Sequence, residues 1–320
     1  MKAVRVHAHG GVDALTFDDV PEPTPGPGQV VVRLAAAGVN FIDTYQRSGQ
    51  YRADLPITLG AEGAGEVVAV GEGVEDVSVG QHVGSTNFAG AYAELATAPA
   101  ERVVPVPQGI ADETAAAALL QGMTAHYLLY DSYPVKAGDT ILVHAAAGGM
   151  GLLLTQLASR MGVRVIGTVS TPQKAELARG AGAAEVLDYD GIAGKVRALT
   201  EGVGVAAVYD GVGASTFDAS LASVRRHGVV VVYGAASGPV PPVDVQRLSA
   251  AGSIYLTRPT LVHFIVSSAD LNRRAGDLLR WVADGALDIR IGGRYALADA
   301  AHAHADLEAR RTTGKLLLIP

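Results

Sequence analysis

The sequence contains no cysteine, and this absence excludes several kinds of chemistry. Without thiols the chain forms no disulfide, carries no cysteine nucleophile and builds no thiolate metal site. Nine histidines remain as possible metal ligands, but they are scattered along the chain. The one close pair, His302 and His304, lies two residues apart on a predicted helix, so the two side chains point in different directions. We therefore expect no bound metal.

Charge clusters and long apolar segments are also missing. Charged residues make up 18% of the chain and the net charge is −7, with no basic run that would bind a phosphate backbone. No apolar segment approaches the ~20 residues of a membrane-spanning helix, and the N-terminus lacks the apolar core of a signal peptide. With 49% hydrophobic residues over a length of 320, we expect a soluble, cytoplasmic, two-domain enzyme without nucleic-acid or membrane partners.

The most informative feature present is a glycine-rich turn between an apolar strand and an apolar helix. The predicted strand at 140–144 leads into Ala145-Ala146-Ala147-Gly148-Gly149-Met150-Gly151, and a second apolar strand follows at 163–169. In the dinucleotide fingerprint G-x-G-x-x-G, the glycines allow a tight turn, approach of the pyrophosphate and helix–strand packing. Ala146 takes the first position, with Gly148 and Gly151 in the others. This βαβ unit predicts a diphosphate bound at the helix N-terminus, where unpaired N–H groups and the macrodipole favour an anion.

The end of the second strand indicates which dinucleotide binds. An NAD site usually places an Asp or Glu about 20 residues after the glycines, where it accepts hydrogen bonds from the ribose hydroxyls. Here that stretch holds Thr168, Ser170 and Thr171, and Lys174 follows on the next predicted helix. Hydroxyls and a cation suit a 2′-phosphate, which a carboxylate would repel. The sequence therefore favours NADPH.

The pattern of predicted strands and helices divides the chain into a strand-rich part and an α/β part. Short predicted strands up to residue 120 have a spacing typical of a barrel or sandwich, and they lie at 4–7, 15–18, 30–36, 65–70, 91–96 and 102–106. An alanine-rich helical run at 111–129, broken by Gly122, marks the passage between the two parts. Predicted strands then alternate with helices, and they lie at 140–144, 163–169, 185–189, 205–210, 229–233 and 253–256.

The second part predicts a doubly wound, six-stranded parallel sheet. Its strands are nearly continuous apolar runs, as expected when helices cover both faces of the sheet. Ligands of such sheets bind at the carboxyl ends of the strands near the switch point, which makes the loops 146–151, 170–174, 211–213 and 234–238 candidates. The tail from about 260 to 320 carries two predicted amphipathic helices and a last strand at 316–319. We expect this tail to return to the first domain.

Several stretches, taken in order, carry a family resemblance that covers the whole chain. They are Gly38-Val39-Asn40-Phe41-Ile42-Asp43-Thr44-Tyr45, Arg47-Ser48-Gly49-Gln50-Tyr51, His144-Ala145-Ala146-Ala147-Gly148-Gly149-Met150-Gly151, Tyr209-Asp210-Gly211-Val212-Gly213, Thr257-Arg258-Pro259 and Leu317-Leu318-Ile319-Pro320. The series resembles the NADPH:quinone oxidoreductases, the zeta-crystallin-like, zinc-free branch of the medium-chain dehydrogenase/reductase superfamily.

This resemblance implies an α/β fold with two domains and a reaction without zinc. Residues 1–122 and 263–320 would form a GroES-like, mostly antiparallel β-barrel catalytic domain, and residues 123–262 a Rossmann NADPH-binding domain. Related zinc enzymes carry Gly-His-Glu where this sequence has Gly60-Ala61-Glu62. Without a Lewis acid an alcohol cannot readily form an alkoxide at neutral pH. A quinone, whose ring is already electrophilic, becomes the expected acceptor of reducing equivalents in the cleft between the domains.

The resemblance also assigns roles to residues at matching positions. Asn40 is expected on the nicotinamide and ribose side, Tyr45 as a donor or orienter for the substrate, and Tyr51 as a second candidate. Loop packing is the alternative role of both tyrosines, and Asp43 is expected to cap a turn. The other expected cofactor-binding positions are Thr124, Ala147, Gly148, Gly149, Met150, Gly151, Thr168, Ser170, Lys174, Tyr189, Gly213, Gly234, Ala235, Ser237 and Arg258.

Three functions remain open at this point. The first is reduction of a quinone or another small electrophile by NADPH. The second is reduction of the carbon–carbon double bond of an enal, enone or enoyl thioester with the same cradle, although the sequence offers few cations for a phosphopantetheine. The third is a non-catalytic crystallin-like or RNA-binding protein; the acidic balance disfavours RNA binding, and the intact cradle gives no sign of lost catalysis. Members of the family often pair through the edge strand of the cofactor domain, so the resemblance, together with the apolar segment 253–257, implies a homodimer.

Overall fold

The computed structural model describes residues 1–320, which form two compact units. The terminal unit comprises Met1–Leu120 and Ile265–Pro320, and the central unit comprises Gln121–Phe264. The predicted boundaries, after residues 122 and 262, each lie two residues from these divisions at 120 and 264.

The chain contains strands throughout and nine α-helices. In chain order the strands are β1 (Lys2–Val6), β2 (Leu15–Asp19), β3 (Gln29–Val39), β4 (Ile57–Thr58), β5 (Gly63–Val70), β6 (His82–Ser85), β7 (Leu95–Pro99), β8 (Val103–Pro105), β9 (Thr140–Val143), β10 (Arg164–Thr168), β11 (Glu185–Leu187), β12 (Val205–Asp210), β13 (Val224–Val232), β14 (Tyr255–Thr257), β15 (Ile291–Ala296) and β16 (Lys315–Ile319). The helices are α1 (Phe41–Ser48), α2 (Asp112–Tyr127), α3 (Gly149–Arg160), α4 (Pro172–Gly180), α5 (Ile192–Leu199), α6 (Phe217–Ser223), α7 (Gln246–Ala250), α8 (Ser268–Ala283) and α9 (Ala300–Glu308). None of the helices combines the length and the apolar character that a membrane crossing requires.

The terminal unit is built on a mostly antiparallel sheet. Its strands run in the order β15-β16-β3-β5-β6-β8, and β7 pairs with β3. A second sheet of three strands has the order β2-β1-β4. The last strand, β16, pairs with β3 in antiparallel register, with Leu317 opposite Gly38. This pairing brings the end of the chain beside the segment that leads into α1, as the prediction for the tail required.

The central unit is a six-stranded parallel sheet with the order β11-β10-β9-β12-β13-β14. Every residue of β12 is buried, which is the pattern of a strand covered on both faces. Chain order reverses between β9 and β12, so the switch point lies beside the turn that follows β9. The predicted doubly wound, six-stranded parallel sheet is confirmed, and the terminal unit has the mostly antiparallel sheet that the resemblance implied.

Each unit has its own apolar core. Val32, Val67 and Leu318 belong to the core of the terminal unit, and Leu142 and Val208 belong to that of the central unit. These residues come from strands whose buried positions face each other across the layers. The polar groups described below are embedded in the same interiors and are therefore shielded from water.

Several local predictions differ from the structure. Residues Phe41–Ser48 form a helix that was not predicted from the sequence. Gly122 does not break the alanine-rich helix, because α2 continues to Tyr127. Tertiary packing of α2 offsets the loss of helix propensity that one glycine causes. The predicted strand at 91–96 begins only at Leu95, and β15 was missed because its glycine-rich sequence gives a weak strand signal.

Candidate functional site

The turn between β9 and α3 has the geometry of a dinucleotide cradle. Gly148 immediately precedes the helix and offers no side chain to cap the first amides, which have no acceptor within the helix. A Cβ at Gly151 would lie 2.6 Å from Cα of Ala146, so only glycine lets the helix approach the strand end this closely. The predicted positions lie on this turn or in the first turn of α3, and they are Ala147, Gly148, Gly149, Met150 and Gly151. Their placement suits an anion at the helix N-terminus.

A glycine on the neighbouring strand accommodates the alanine in the first fingerprint position. Ala146 is fully buried, and a Cβ at Gly167 in β10 would lie 2.7 Å from the Ala146 Cβ. Gly167 therefore leaves open the space that the Ala146 methyl group occupies. Because the methyl group lies against β10, it does not fill the turn, and the cradle keeps its shape.

Tyr189, two residues after β11, reaches the same turn. Its hydroxyl oxygen accepts a hydrogen bond from the backbone N–H of Ala145 at 3.2 Å, and its ring stacks on that of His144 with centroids 6.4 Å apart. Ala145 has a φ of 52°, a left-handed conformation that non-glycine residues seldom adopt. The Tyr189 hydroxyl thus stabilises a strained residue at the predicted cofactor site.

The first turn of α4 gathers hydroxyl groups and a cation. Thr171 caps the helix, its hydroxyl oxygen accepting from the backbone N–H of Lys174 at 3.3 Å, and Ser170 is exposed one residue earlier. The first turn contains no acidic residue, and a lysine at this end opposes the helix dipole. A phosphate group bound here would be stabilised by both the lysine and the dipole.

A buried chain of hydrogen bonds ties together the strand ends beneath these loops. Asp210 Oδ2 accepts from Ser220 Oγ at 2.7 Å, and Ser220 Oγ lies 3.0 Å from His144 Nε2. Since the single Ser220 proton goes to Asp210, His144 Nε2 is the donor to Ser220, and His144 Nδ1 accepts from the Thr168 hydroxyl at 2.9 Å. Burial lowers the pKa of His144, which keeps the imidazole neutral. The chain crosslinks the ends of β9, β10 and β12.

The same carboxylate shapes the loop after β12. Asp210 Oδ1 accepts from the backbone N–H groups of Val212 at 2.8 Å and Gly213 at 2.9 Å, and it accepts from the Thr216 hydroxyl at 2.9 Å. Gly213 has a φ of 89° and so needs to be glycine. The Ser237 hydroxyl donates to the Val212 carbonyl at 2.7 Å, which joins this loop to the loop after β13.

The other predicted cofactor positions lie in varied surroundings. Gly234 sits against the backbone of Gly211, where a Cβ would lie 2.9 Å from the Gly211 Cα. Ala235 and Thr124 are each only 8% exposed, and Arg258 directly follows β14.

Thr168 is fully buried, and its hydroxyl is engaged by His144. Its hydroxyl therefore acts inside the protein, beneath the loops rather than on their surface.

In the terminal unit, Asp43 caps the helix that carries the candidate tyrosines. Its carboxylate accepts from the backbone N–H of Asn40 at 2.8 Å, at the start of α1. This confirms the capping role expected for Asp43. Gly49 ends the helix in a left-handed conformation with φ of 80°, so α1 is defined at both ends by short-range signals in the sequence.

Asn40, Glu62 and Lys315, which we call the Asn40 cluster, form a buried polar group beside that helix. Lys315 Nζ donates to Asn40 Oδ1 at 2.6 Å and to Glu62 Oε2 at 2.5 Å. Asn40 Nδ2 donates to Glu62 Oε2 at 2.8 Å and to the carbonyl of Gly38 at 3.2 Å. The exposed fractions are 6% for Asn40, 2% for Lys315 and 0% for Glu62. The candidate amide is thus held by an ion pair that is shielded from water.

The backbone around the cluster leaves little freedom. Glu62 Oε1 accepts from the backbone N–H of Leu120 at 2.6 Å, so both carboxylate oxygens are engaged. A Cβ at Gly38 would lie 2.8 Å from Lys315 Cε and 2.8 Å from the carbonyl oxygen of Ala116. Gly38 is therefore required for the lysine to enter.

The candidate tyrosines lie on and just after α1. Tyr45 is 8% exposed and Tyr51 is 38% exposed, and their ring centroids are 5.3 Å apart. The backbone N–H of Tyr51 donates to the Tyr45 carbonyl at 3.0 Å. The structure therefore brings the two predicted side chains together, with Tyr51 the more accessible.

A second buried chain runs from Asp43 towards the surface. Arg47 Nη1 donates to His304 Nδ1 at 3.0 Å, so the imidazole proton sits on Nε2, which donates to the Tyr92 oxygen at 3.0 Å. Tyr92 in turn donates to Asp43 at 2.8 Å, and Arg47 also pairs with Glu308 at 2.7 Å. From Arg47 through His304 and Tyr92, the donors of this chain are directed in sequence towards Asp43.

Burial sets the protonation states along that chain. Loss of hydration raises the pKa of Asp43 to about 6, against the opposing effect of its hydrogen bonds from Asn40 and Tyr92. Burial raises the pKa of Tyr92 well above its ordinary value. Burial and the nearby Arg47 guanidinium lower the pKa of His304 to about 3, so this imidazole is neutral. Asp43 is the member of the chain whose charge changes near neutral pH.

No group of three or more His, Cys, Asp or Glu side chains is placed to hold a metal ion. His304 is fully buried, whereas 69% of the His302 side chain is exposed, so the close pair does face different ways. Glu62, at the position of the zinc enzymes' Gly-His-Glu motif, directs its carboxylate to Lys315, Asn40 and the Leu120 amide. The residues present do not form a zinc site.

Sequence reasoning did not find Lys315, Tyr92, His304 or the role of His144. One signal for Lys315 was available, because a lysine at the start of the apolar run Leu316-Leu317-Leu318 is rarely buried without a partner. Its partner was also visible in Gly60-Ala61-Glu62, but the two lie 253 residues apart. No local pattern joins residues at that separation.

Comparison with known proteins gives a consistent family. Models of the zinc-binding dehydrogenases and of the alcohol dehydrogenase GroES-like domain match residues 149–284 and 26–108. A quinone oxidoreductase from Pseudomonas aeruginosa is 47% identical over 100% of this chain and 99% of its own. A 2-haloacrylate reductase from Burkholderia is 39% identical over 99% of this chain and 98% of its own.

Solved structures lead to the same group. A mycobacterial protein solved in complex with NADPH is 55% identical, with a TM-score of 0.98 and 100% of both chains covered. The identity over full length far exceeds what a shared fold alone requires, and the family resemblance read from the sequence is confirmed. The chain belongs to the quinone oxidoreductase family of oxidoreductases, within the medium-chain dehydrogenase/reductase superfamily.

Proposed function

We propose that this protein is an NADPH:quinone oxidoreductase that acts without zinc. The observation that carries the cofactor assignment is the first turn of α4, which combines Lys174 with the Thr171 cap and contains no acidic residue. This arrangement suits the 2′-phosphate that distinguishes NADPH from NADH. The relatives named as quinone oxidoreductases and the NADPH complex of a similar protein support the same assignment.

The residues of the central unit fit the cofactor. The amides at the start of α3 would hold the diphosphate, and Gly151 keeps the turn narrow enough for the helix to stay beside it. The loops after β12 and β13, which Asp210 and Ser237 hold in place, would bind the nicotinamide half. Ser170, Lys174 and Tyr189 would surround the 2′-phosphate. Bound NADPH supplies a hydride ion.

The reaction needs one hydride and one proton for each quinone. The quinone takes the hydride electron pair and two hydrogens in all, becoming a hydroquinone while NADPH becomes NADP⁺, with the second hydrogen arriving as a proton. Negative charge develops on a quinone oxygen, so a hydrogen-bond donor at that oxygen lowers the barrier. Tyr45 or Tyr51 would serve as that donor, since their phenol rings lie close together, on and just after α1.

A second candidate function is reduction of an activated carbon–carbon double bond. The 2-haloacrylate reductase among the similar proteins favours it, because a haloacrylate is an α,β-unsaturated acid. The same cradle would deliver hydride to the double bond in place of the quinone ring. The two functions differ in the substrate and not in the cofactor.

We also propose a cytoplasmic homodimer. Strand β14 is the edge of the central sheet, and Tyr255 on it is 64% exposed. An exposed edge with an apolar side chain is commonly paired with a second copy. Sedimentation of the intact protein should give twice the mass of one chain, and a monomer at all concentrations would refute the dimer.

One assay separates the two candidate reactions. Oxidation of NADPH is followed with 1,4-benzoquinone, with 9,10-phenanthrenequinone and with a 2-alkenal, each with and without a metal chelator. We expect the quinones to be reduced with at least about tenfold higher kcat/KM than the alkenal, which corresponds to about 1.4 kcal/mol of transition-state stabilisation. Preference for the alkenal would establish the second function, and loss of activity with chelator would refute a zinc-free reaction.

A further inference from the structure

We propose that Lys315 is a positioning residue. Together with Glu62 it fixes the orientation of the Asn40 amide, so that Asn40 can only accept a hydrogen bond from a bound molecule. The inference rests on the proposed function and on the expectation, from the family resemblance, that Asn40 lies on the nicotinamide and ribose side of the bound cofactor. It assigns a role to a buried ion pair that the reaction does not itself use.

The orientation of the Asn40 amide follows from the chemistry of its neighbours. A lysine ammonium group only donates hydrogen bonds, and an ionised carboxylate only accepts them. Asn40 must therefore turn its oxygen to Lys315, at 2.6 Å, and its nitrogen to Glu62, at 2.8 Å. A flipped amide would place nitrogen against ammonium and oxygen against carboxylate, and both contacts would be repulsive.

The held orientation uses every donor of the amide. One N–H of Asn40 goes to Glu62 and the other to the Gly38 carbonyl, at 3.2 Å. The carbonyl oxygen has two lone pairs, of which Lys315 needs one. Any hydrogen bond from Asn40 to a ligand is thus accepted by Oδ1.

This restriction decides which ligand groups suit Asn40. Quinone oxygens only accept hydrogen bonds, so Asn40 cannot bind them. Ribose hydroxyls and a carboxamide N–H donate, and the nicotinamide half of NADPH carries both. Lys315 therefore directs Asn40 to the cofactor, and the donor for the quinone oxygen is another residue.

The free-energy cost of burying the ion pair between Lys315 and Glu62 indicates that the pair does more than stabilise the fold. Desolvation of two charges commonly cancels their attraction, and apolar replacements are often as stable. With exposures of 2% for Lys315 and 0% for Glu62, the pair is fully subject to that cost. Fixing a side chain that would otherwise have two orientations is a role that apolar residues could not fill.

The arrangement can be observed without any activity assay. The chain has three asparagines, Asn40, Asn87 and Asn272, so selective ¹⁵N-asparagine labelling gives three side-chain NH₂ signals. We expect the Asn40 protons to exchange with water at least about 100-fold more slowly than those of exposed Asn272, by the protection that buried hydrogen bonds give. In Lys315→Met the protection should fall at least about tenfold. Exchange of the wild-type Asn40 amide as fast as that of Asn272 would overturn the proposal.

Kinetics test whether Lys315 acts through Asn40. With NADPH and 1,4-benzoquinone, Lys315→Met should lower kcat/KM at least about tenfold, and Lys315→Met with Asn40→Ala should be no worse than Asn40→Ala alone, since contacting residues are not additive. Independent, additive losses would refute the positioning role. Lys2→Met is the matched control, because Lys2 forms an exposed ion pair with Asp19 in the same unit.

A second variant guards against misfolding. Lys315→Met leaves the Glu62 charge unpaired, whereas Lys315→Met with Glu62→Gln removes both charges and should keep the wild-type circular dichroism spectrum. In this folded variant the Asn40 amide should still lose protection and kcat/KM should still fall; unchanged values of both would refute the proposal. Wild-type protection without any quinone reduction would instead refute the proposed function and leave the orientation of Asn40 standing.

Discussion

The two units bury their polar groups in contrasting ways. In the central unit a single carboxylate, Asp210, accepts from backbone N–H groups and hydroxyls, and the neighbouring imidazole is neutral. In the terminal unit full charges meet, with Lys315 against Glu62. The central network holds backbone loops, whereas the terminal cluster holds one side chain, Asn40.

The contrast predicts that the two units respond differently to substitution. A loop that presents backbone amides tolerates a changed side chain if space exists, as Ala146 shows beside Gly167. An amide side chain has two orientations of nearly equal shape, and only charged or directional neighbours distinguish them. The terminal unit therefore uses a pair of opposite charges in its interior, whereas the central unit uses a single carboxylate that hydrogen bonds satisfy.

The largest effect is expected from breaking the central network. Asp210→Ala removes the acceptor of two backbone N–H groups and two hydroxyls, and buried donors left unpaired cost about 1–3 kcal/mol each. We expect at least about 3 kcal/mol loss of unfolding free energy in urea and about tenfold weaker NADPH binding by calorimetry. Asp218→Ala, at an exposed carboxylate in the same unit, is the control. Equal losses of unfolding free energy and of NADPH affinity in the two variants would contradict the role of Asp210 in holding these loops.

A pH-dependent effect of similar size is expected in the terminal unit. The pKa of Asp43 is raised from 3.8 to about 6 in the folded protein, so between these values the native state binds more protons than the unfolded state. Stability therefore falls as pH rises from about 4 to 6, by about 3 kcal/mol for a shift of about two units. Asp43→Asn keeps the accepting oxygen but cannot ionise. The unfolding free energy of Asp43→Asn should therefore not fall over this pH range. Parallel curves of unfolding free energy against pH for the wild type and Asp43→Asn would contradict the raised pKa of Asp43.

The smallest effect is expected at the outer end of the same chain. Glu308 pairs with Arg47, but 38% of its side chain is exposed, and such pairs contribute below about 1 kcal/mol. Glu308→Gln should therefore shift the urea midpoint little and leave the pH profile of Asp43 intact. Arg47→Met, which removes the donor to His304, should destabilise more. A larger loss of unfolding free energy in Glu308→Gln than in Arg47→Met would contradict this order, in which the more buried contacts contribute more to stability.

Sequence alone predicted the features that depend on neighbours along the chain. The cradle, the six parallel strands and the cap by Asp43 all follow from short patterns of apolar residues, glycines and polar caps. The helix Phe41–Ser48 was missed because its eight residues carry few buried apolar positions.

The buried networks could not be predicted in this way. His304 meets Tyr92 across 212 residues and Lys315 meets Glu62 across 253, and neither pair has a local signature. The same limit applies to Thr168, whose hydroxyl was expected at the cofactor but donates to His144 from a neighbouring strand. Only the strand order of the sheet reveals that contact.

The most direct test of the account is cofactor preference in quinone reduction. Wild-type kcat/KM with 1,4-benzoquinone should be at least about tenfold higher for NADPH than for NADH, because a charge-assisted hydrogen bond to a phosphate is worth about 1.5–3 kcal/mol. Lys174→Ala should abolish most of this preference, and Lys136→Ala, at an exposed lysine of the same unit, should preserve it. A wild-type preference for NADH, or equal losses with both cofactors in Lys174→Ala, would contradict the assignment.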